Sequence, residues 1–155
     1  MFRVVLVEPE IPQNTGSIGR TCVATESPLH LIEPLGFSLE ERRVRRAGLD
    51  YWSSLELHRH QSIEEYFDRH PGRFHLLTSR SETSYLDAAF QAGDALIFGK
   101  ESVGLPETLV EKFPERSCSI PMPGPVRSLN LSNSVAIVLY EALRQLRALD
   151  TPVLR

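Results

Sequence analysis

The chain has 155 residues, 41% of them apolar and 24% charged, and its 17 Lys and Arg against 20 Asp and Glu give a net charge of −3. That length suits one domain able to bury a core without disulfides, and the acidic balance excludes a nucleic-acid binder that works by bulk positive charge, so a polyanion site has to be local. Cys22 and Cys118 have no CxxC spacing, read as buried thiols and fit a reducing cytoplasm.

The opening MFRVVLVEPE holds a short apolar run broken by Glu8, which predicts a first strand over 4–7 and not a signal peptide or membrane anchor. The loop Pro12-Gln13-Asn14-Thr15-Gly16-Ser17-Ile18-Gly19-Arg20 follows. Asn14 or Thr15 can cap a helix over 14–25, with Arg20 more than a turn inside it. A second strand is predicted over 29–32 and a helix over 39–46. That helix carries Arg42, Arg43, Arg45 and Arg46 behind Glu40 and Glu41, which reads either as a solvated face with Glu-to-Arg pairs or as a contact to phosphates.

Further strands are predicted over 55–58, 74–78, 95–98 and 117–120, and helices over 62–69 and 105–113. His58 and His60 flank one strand position with no third ligand at metal-site spacing, so they read as surface residues and no metal site is expected. The segment from Phe98 through Gly99, Lys100, Glu101, Ser102, Val103 and Gly104 to Pro106 is a strand end whose glycines let backbone approach a ligand. Its Glu101 is either a cap-type acid for the following helix or a polar contact in a cleft.

The stretch IPMPGPVRSLNLSNSVAIVLYE, residues 120–141, carries the strongest signal. Pro121, Pro123 and Pro125 fix φ and remove three donors, which makes a stiff loop. Ser128, Asn130, Ser132, Asn133 and Ser134 then crowd a helix start where one cap would suffice, beside Arg127, and this density predicts a binding site on a braced loop. The last helix, about 131–149, places Leu131, Val135, Val138, Leu139, Ala142, Leu143 and Leu146 on one stripe for the core or a subunit contact. The alternation of strands and helices predicts one α/β domain over 1–155 with a mostly parallel sheet.

There is no GxGxxG after a strand, no P-loop with correct spacing and no GxSxG elbow, so dinucleotide, nucleotide-triphosphate and serine-hydrolase chemistry lack their motifs. The three polar loops all follow strand ends, the side on which open α/β sheets bind ligands.

In their order and content these loops, with Arg45-Arg46-Ala47-Gly48-Leu49-Asp50-Tyr51-Trp52, resemble the motifs of the SPOUT superfamily of RNA methyltransferases. The likeness runs from about residue 4 to 154 and is strongest to the small bacterial tRNA 2′-O-methyltransferases that act on cytidine or uridine at the wobble position. It implies a C-terminal trefoil knot, a homodimer, S-adenosylmethionine as cofactor and the tRNA anticodon arm as partner. By position it implies cofactor contacts at Leu77, Gly99, Ile120 and Ser128, catalytic roles for Arg20, Ser128, Asn130 and Tyr140, and RNA contacts at Asn14, Arg45, Arg46 and Arg127. The alternatives are another RNA position, in ribosomal RNA or elsewhere in tRNA, and a noncatalytic RNA-binding module of the same fold.

Overall fold

The computed structural model describes residues 1–39 and 51–149. The predicted helix over 39–46, with Arg42, Arg43, Arg45 and Arg46, lies outside the described residues apart from Leu39.

Six strands form one sheet: β1 (Arg3–Val7), β2 (Leu29–Ile32), β3 (Leu57–His60), β4 (Phe74–Leu77), β5 (Ala95–Phe98) and β6 (Ser117–Cys118). Every pairing is parallel, in the order β3-β2-β1-β5-β4-β6. Helices α1 (Pro12–Ala24), α2 (Ile63–Arg69), α3 (Glu107–Lys112) and α4 (Leu131–Gln145) cover both faces. On one face Val4, Leu6, Leu29, Leu31, Leu96 and Phe98 meet Ile18 and Cys22 of α1 and the α4 stripe, including Val135, Val138, Leu139 and Leu143. The other face packs Val5, Val7, Ile32, Leu76 and Ile97 against Tyr66 of α2 and Leu109 of α3. Central strands buried on both faces read as continuous apolar runs, which is why β1, β2 and β5 were visible as such. No helix among the described residues is long and apolar enough to cross a membrane.

Several boundaries differ from the sequence expectation. The strand predicted over 55–58 is β3 at 57–60, because parallel pairing sets His58 opposite His30 and His60 opposite Ile32 on a sheet edge where apolar content is low. β6 stops at Cys118 instead of running to residue 120: Ser119 leaves β4 and bridges Ser84. α1 begins at Pro12, two residues early, because Pro at the first helical position needs no N–H partner.

α4 ends at Gln145 and not at 149. Ala148 N–H donates to Leu143 O at 3.0 Å and Arg147 N–H to Arg144 O at 3.0 Å, with Arg147 at φ 54°, which is a Schellman termination carrying Arg where Gly is usual. α1 ends the same way: Ser27 N–H reaches Cys22 O at 2.9 Å and Glu26 sits at φ 51°.

His60, expected at the surface, is 2% exposed. It lies on the α2-covered face with His30, Tyr66 and His70. Burial first, then the neighbouring imidazoles, push His30 down to about 3, so its ring is neutral near neutral pH.

Candidate functional site

A cleft of about 590 Å³ opens where β4, β5 and β6 end, and Leu77, Gly99, Ile120, Arg127, Ser128 and Asn130 are among its lining residues. It thus brings together all four positions expected to hold a cofactor. Its size falls within the roughly 300–1,000 Å³ of small-molecule sites.

Three loops build the walls, and hydrogen bonds between charged and polar side chains fasten them. β1 exits through Glu8, held in the left-handed region at φ 50°, and its carboxylate meets Lys100 Nζ at 2.8 Å. Glu10 accepts from Ser102 N–H and Ser102 Oγ–H, both at 3.0 Å, and these bonds hold its carboxyl below the usual range. In return Glu101 reaches back to the first loop. Its Oε2 accepts from Glu10 N–H at 2.8 Å, while Oε1 accepts from Ile11 N–H at 3.2 Å and from Asn14 Nδ2 at 3.0 Å.

Helix α1 therefore has no cap from its own N-cap residue, Ile11. Glu101, from some 90 positions away, instead holds the two backbone N–H groups just before the helix and the Asn14 side chain, placing negative charge near a positive helix end. The sequence offered Glu101 as a cap for the helix that follows it or as a cleft residue. It lines the cleft and fastens the segment that leads into α1.

The third loop joins through Asn14 and Asn130. Asn130 Nδ2 donates to Asn14 Oδ1 at 2.9 Å. Asn130 Oδ1 accepts from Ser132 N–H at 2.9 Å, Ser132 Oγ–H at 2.6 Å and Asn133 N–H at 3.4 Å, so Asn130 is the N-cap of α4. The donors and acceptors around both amides leave one orientation for each. Asn14, expected to touch RNA, is 6% exposed and has both ends of its amide engaged within the protein, where it acts as the joint between two loops.

Gly99 is fixed by close approach. A Cβ there would lie 2.0 Å from Gly104 C and 2.1 Å from Leu105 N, because the 100–104 turn folds back over the end of β5 with Gly104 N–H donating to Lys100 O at 2.9 Å. Only a hydrogen fits.

Arg127, Ser128 and Asn130 are exposed on the cleft rim. Arg20 and Tyr140 stand outside the lining residues. Arg20 is exposed, with its guanidinium 4.6 Å from the Tyr51 ring centroid, and Tyr140 is 44% exposed on α4. Arg45 and Arg46 lie outside the described residues. The joining role of Glu101 went unread because it depends on a contact across the sheet, although its place beside Gly99 marked the segment.

The donor set suits S-adenosylmethionine: apolar walls at Leu77, Ile120 and Leu131, a backbone cradle that a Cβ at Gly99 would fill, and polar groups on one rim. Such a ligand needs amides and apolar surface and not a pyrophosphate cradle.

Comparison with known proteins agrees with this geometry. The tRNA (cytidine(34)-2′-O)-methyltransferase of Burkholderia cenocepacia is 48% identical over 149 residues, spanning 94% of this chain and 96% of that protein. A solved structure described as giving insight into the 2-OH methylation of C/U34 on tRNA superimposes with a TM-score of 0.92 at 47% identity, covering 96% of this chain and 97% of that one. The SpoU methyltransferase AviRb of Streptomyces viridochromogenes, solved with AdoMet, gives a TM-score of 0.81 at 27% identity, covering 94% of this chain and 58% of its own. The SpoU rRNA Methylase family matches residues 1–140, so the resemblance seen in the three loops is a true kinship: the chain belongs to that family.

Proposed function

We propose that the chain is an S-adenosylmethionine-dependent methyltransferase acting on the ribose 2′-hydroxyl of nucleotide 34, cytidine or uridine, in the anticodon loop of tRNA. The observation that carries this reading is the joining of three family loops around one cleft by the Glu101–Asn14–Asn130 chain of hydrogen bonds. Identity of 48% to an enzyme named for C34 favours the wobble ribose over other RNA positions.

S-adenosylmethionine, when bound, supplies an electrophilic methyl group on a cationic sulfonium leaving group. The protein's share is orientation and handling of the hydroxyl proton. Leu77, Gly99, Ile120 and Ser128 hold the cofactor, and Ser128 and Asn130 on the rim orient the ribose. Arg20 offers only N–H donors, so it stabilises the developing alkoxide or grips the adjacent phosphate and does not act as a base. Tyr140 is the further candidate at the reacting group, while Arg127, Arg45 and Arg46 contact tRNA phosphates. The transfer uses no metal in this reading.

Because Arg20 and Tyr140 are exposed and lie outside the cleft of their own chain, the reading includes a homodimer in which Arg20 of one protomer serves the cleft of the other. Ile137 and Tyr140, 37% and 44% exposed on α4, support such a contact. A trefoil knot and a cytoplasmic location belong to the same reading. Three bonds that fasten residues 117–119 to 81–85 support the knot: Ser81 Oγ–H to Ser117 O, Tyr85 N–H to Ser119 O and Ser119 N–H to Thr83 O, each 2.8 Å.

The test compares methyl incorporation into an anticodon-arm tRNA with a ribose at position 34 and into the same tRNA with 2′-deoxyribose there. The ribose substrate should be methylated and the deoxy substrate not. Equal incorporation into both, or transfer only to ribosomal RNA, would refute the assignment.

A further inference from the structure

We propose that His30, His60 and His70 form a transition-metal site, best suited to zinc, that pins β2, β3 and the end of α2 together on the sheet face opposite α1 and α4. The chain has five histidines, and four of them gather here. One ring nitrogen from each of His30, His60 and His70 lies within 4.8 Å of the other two. None of the three lines the methyl-transfer cleft.

Two strand positions and one helix end create the cluster. His30 in β2 and His60 in β3 point to the same face, with His30 Nδ1 3.0 Å from His60 Nε2. His70 caps α2, its N–H donating to Tyr66 O, and swings its ring against His30 with centroids 4.8 Å apart. Two imidazoles on tetrahedral zinc at about 2.0–2.1 Å have nitrogens about 3.3–3.4 Å apart, so the His30–His60 pair is already near that spacing. His70 is half-buried and is the ligand with room to close the remaining gap.

Within the cluster one nitrogen of His30 and one of His60 face each other at 3.0 Å. His30 Nε2, His60 Nδ1 and the Tyr66 hydroxyl are buried, and none has a hydrogen-bond partner among the described residues. His30 and Tyr66 are each 1% exposed and His60 is 2% exposed. A cation held through His30 Nδ1, His60 Nε2 and one nitrogen of His70 replaces the His30–His60 hydrogen bond and leaves a fourth position for water, while His30 Nε2 and His60 Nδ1 stay on the outer side of their rings. Glu56, whose Oε1 lies 2.9 Å from His58 Nε2, and Glu65, which lies near His60, offset the positive charge of Arg3. Arg3 itself is held by Gly93 O at 2.7 Å. Imidazole ligation suits zinc, copper and nickel and not magnesium or calcium.

Chelator-stripped, tag-free protein should be titrated with zinc chloride by calorimetry, and with cobalt chloride while the visible spectrum is followed. The expected result is one zinc per chain, a rise in the thermal midpoint on adding zinc, and the intense visible bands of four-coordinate cobalt. His70→Ala, at a half-buried position, should fold and bind at least about tenfold more weakly, since even loss of an outer-shell partner costs that much. His75→Gln, outside the cluster, should bind as the wild type does. The absence of stoichiometric zinc binding, a cobalt spectrum like that of the hydrated ion, or wild-type affinity in His70→Ala would each overturn the site.

Discussion

Asn14 and Asn130 stand 116 positions apart and share a hydrogen bond of 2.9 Å that ties the start of α1 to the start of α4. Through Asn14 the tie continues to Glu101, so one line of polar side chains sets the spacing of the three loops around the cleft. Asn130→Ala should cost about 1 kcal/mol through the lost cap alone. Adding Asn14→Ala should reveal a coupling of about 0.5–3 kcal/mol in a double-mutant cycle measured by urea unfolding. Asn14→Asp should be worse than Asn14→Ala, because it sets a second carboxylate within 3.0 Å of Glu101. Additive single effects would mean that the loops are positioned independently.

Gly99→Ala and Gly124→Ala make a matched pair. The first puts a methyl 2.0 Å from backbone and forces the 104–105 segment away, which should cost about 2–3 kcal/mol and abolish cofactor binding in calorimetry. At Gly124 a Cβ meets nothing within 4 Å, so stability should stay within about 0.5 kcal/mol.

The two Schellman ends offer a gain. Arg147→Gly and Glu26→Gly relieve side chains held at φ 54° and 51°. Left-handed backbone costs a non-glycine residue about 1–2 kcal/mol, partly offset by the greater freedom of glycine when unfolded. Each change should therefore stabilise the chain by up to about 1 kcal/mol, read as a shift in denaturation midpoint.

Arg20→Ala should fold and bind S-adenosylmethionine as the wild type does, because Arg20 is exposed and outside the cofactor cleft. Single-turnover methyl transfer at saturating tRNA should fall about 100-fold or more. Arg20→Lys should restore little of it, since a point charge does not reproduce the planar fork. Near-normal turnover in the alanine variant would remove Arg20 from the chemistry.

The parts of the fold that were legible in the sequence are those set by local pattern. Leu29–Ile32 and Ala95–Phe98 read as strands because both faces of a central parallel strand are buried. Asn130 read as a helix start because its side chain caps the next turn. Edges and long-range partners were not legible. The edge strand Leu57–His60 carries two histidines and an arginine, so nothing apolar marks its register, and only pairing with β2 reveals that His60 is buried. The hold of Glu101 on the segment before α1 is equally silent, since no local rule joins residues 90 positions apart. Leu77, Gly99, Ile120 and Ser128, expected from the sequence to hold a cofactor, line one cleft because they follow strand ends on the side where parallel sheets bind ligands.

The most direct test of the assigned reaction is to incubate the purified chain with S-adenosylmethionine and the total tRNA of a strain lacking the enzyme, then map ribose methylation by nuclease digestion and mass spectrometry. One new methyl group should appear, on the 2′-oxygen of nucleotide 34 in tRNAs with cytidine or uridine there. Methylation at a different nucleotide, methylation on a base, or no transfer to any RNA supplied would contradict the account.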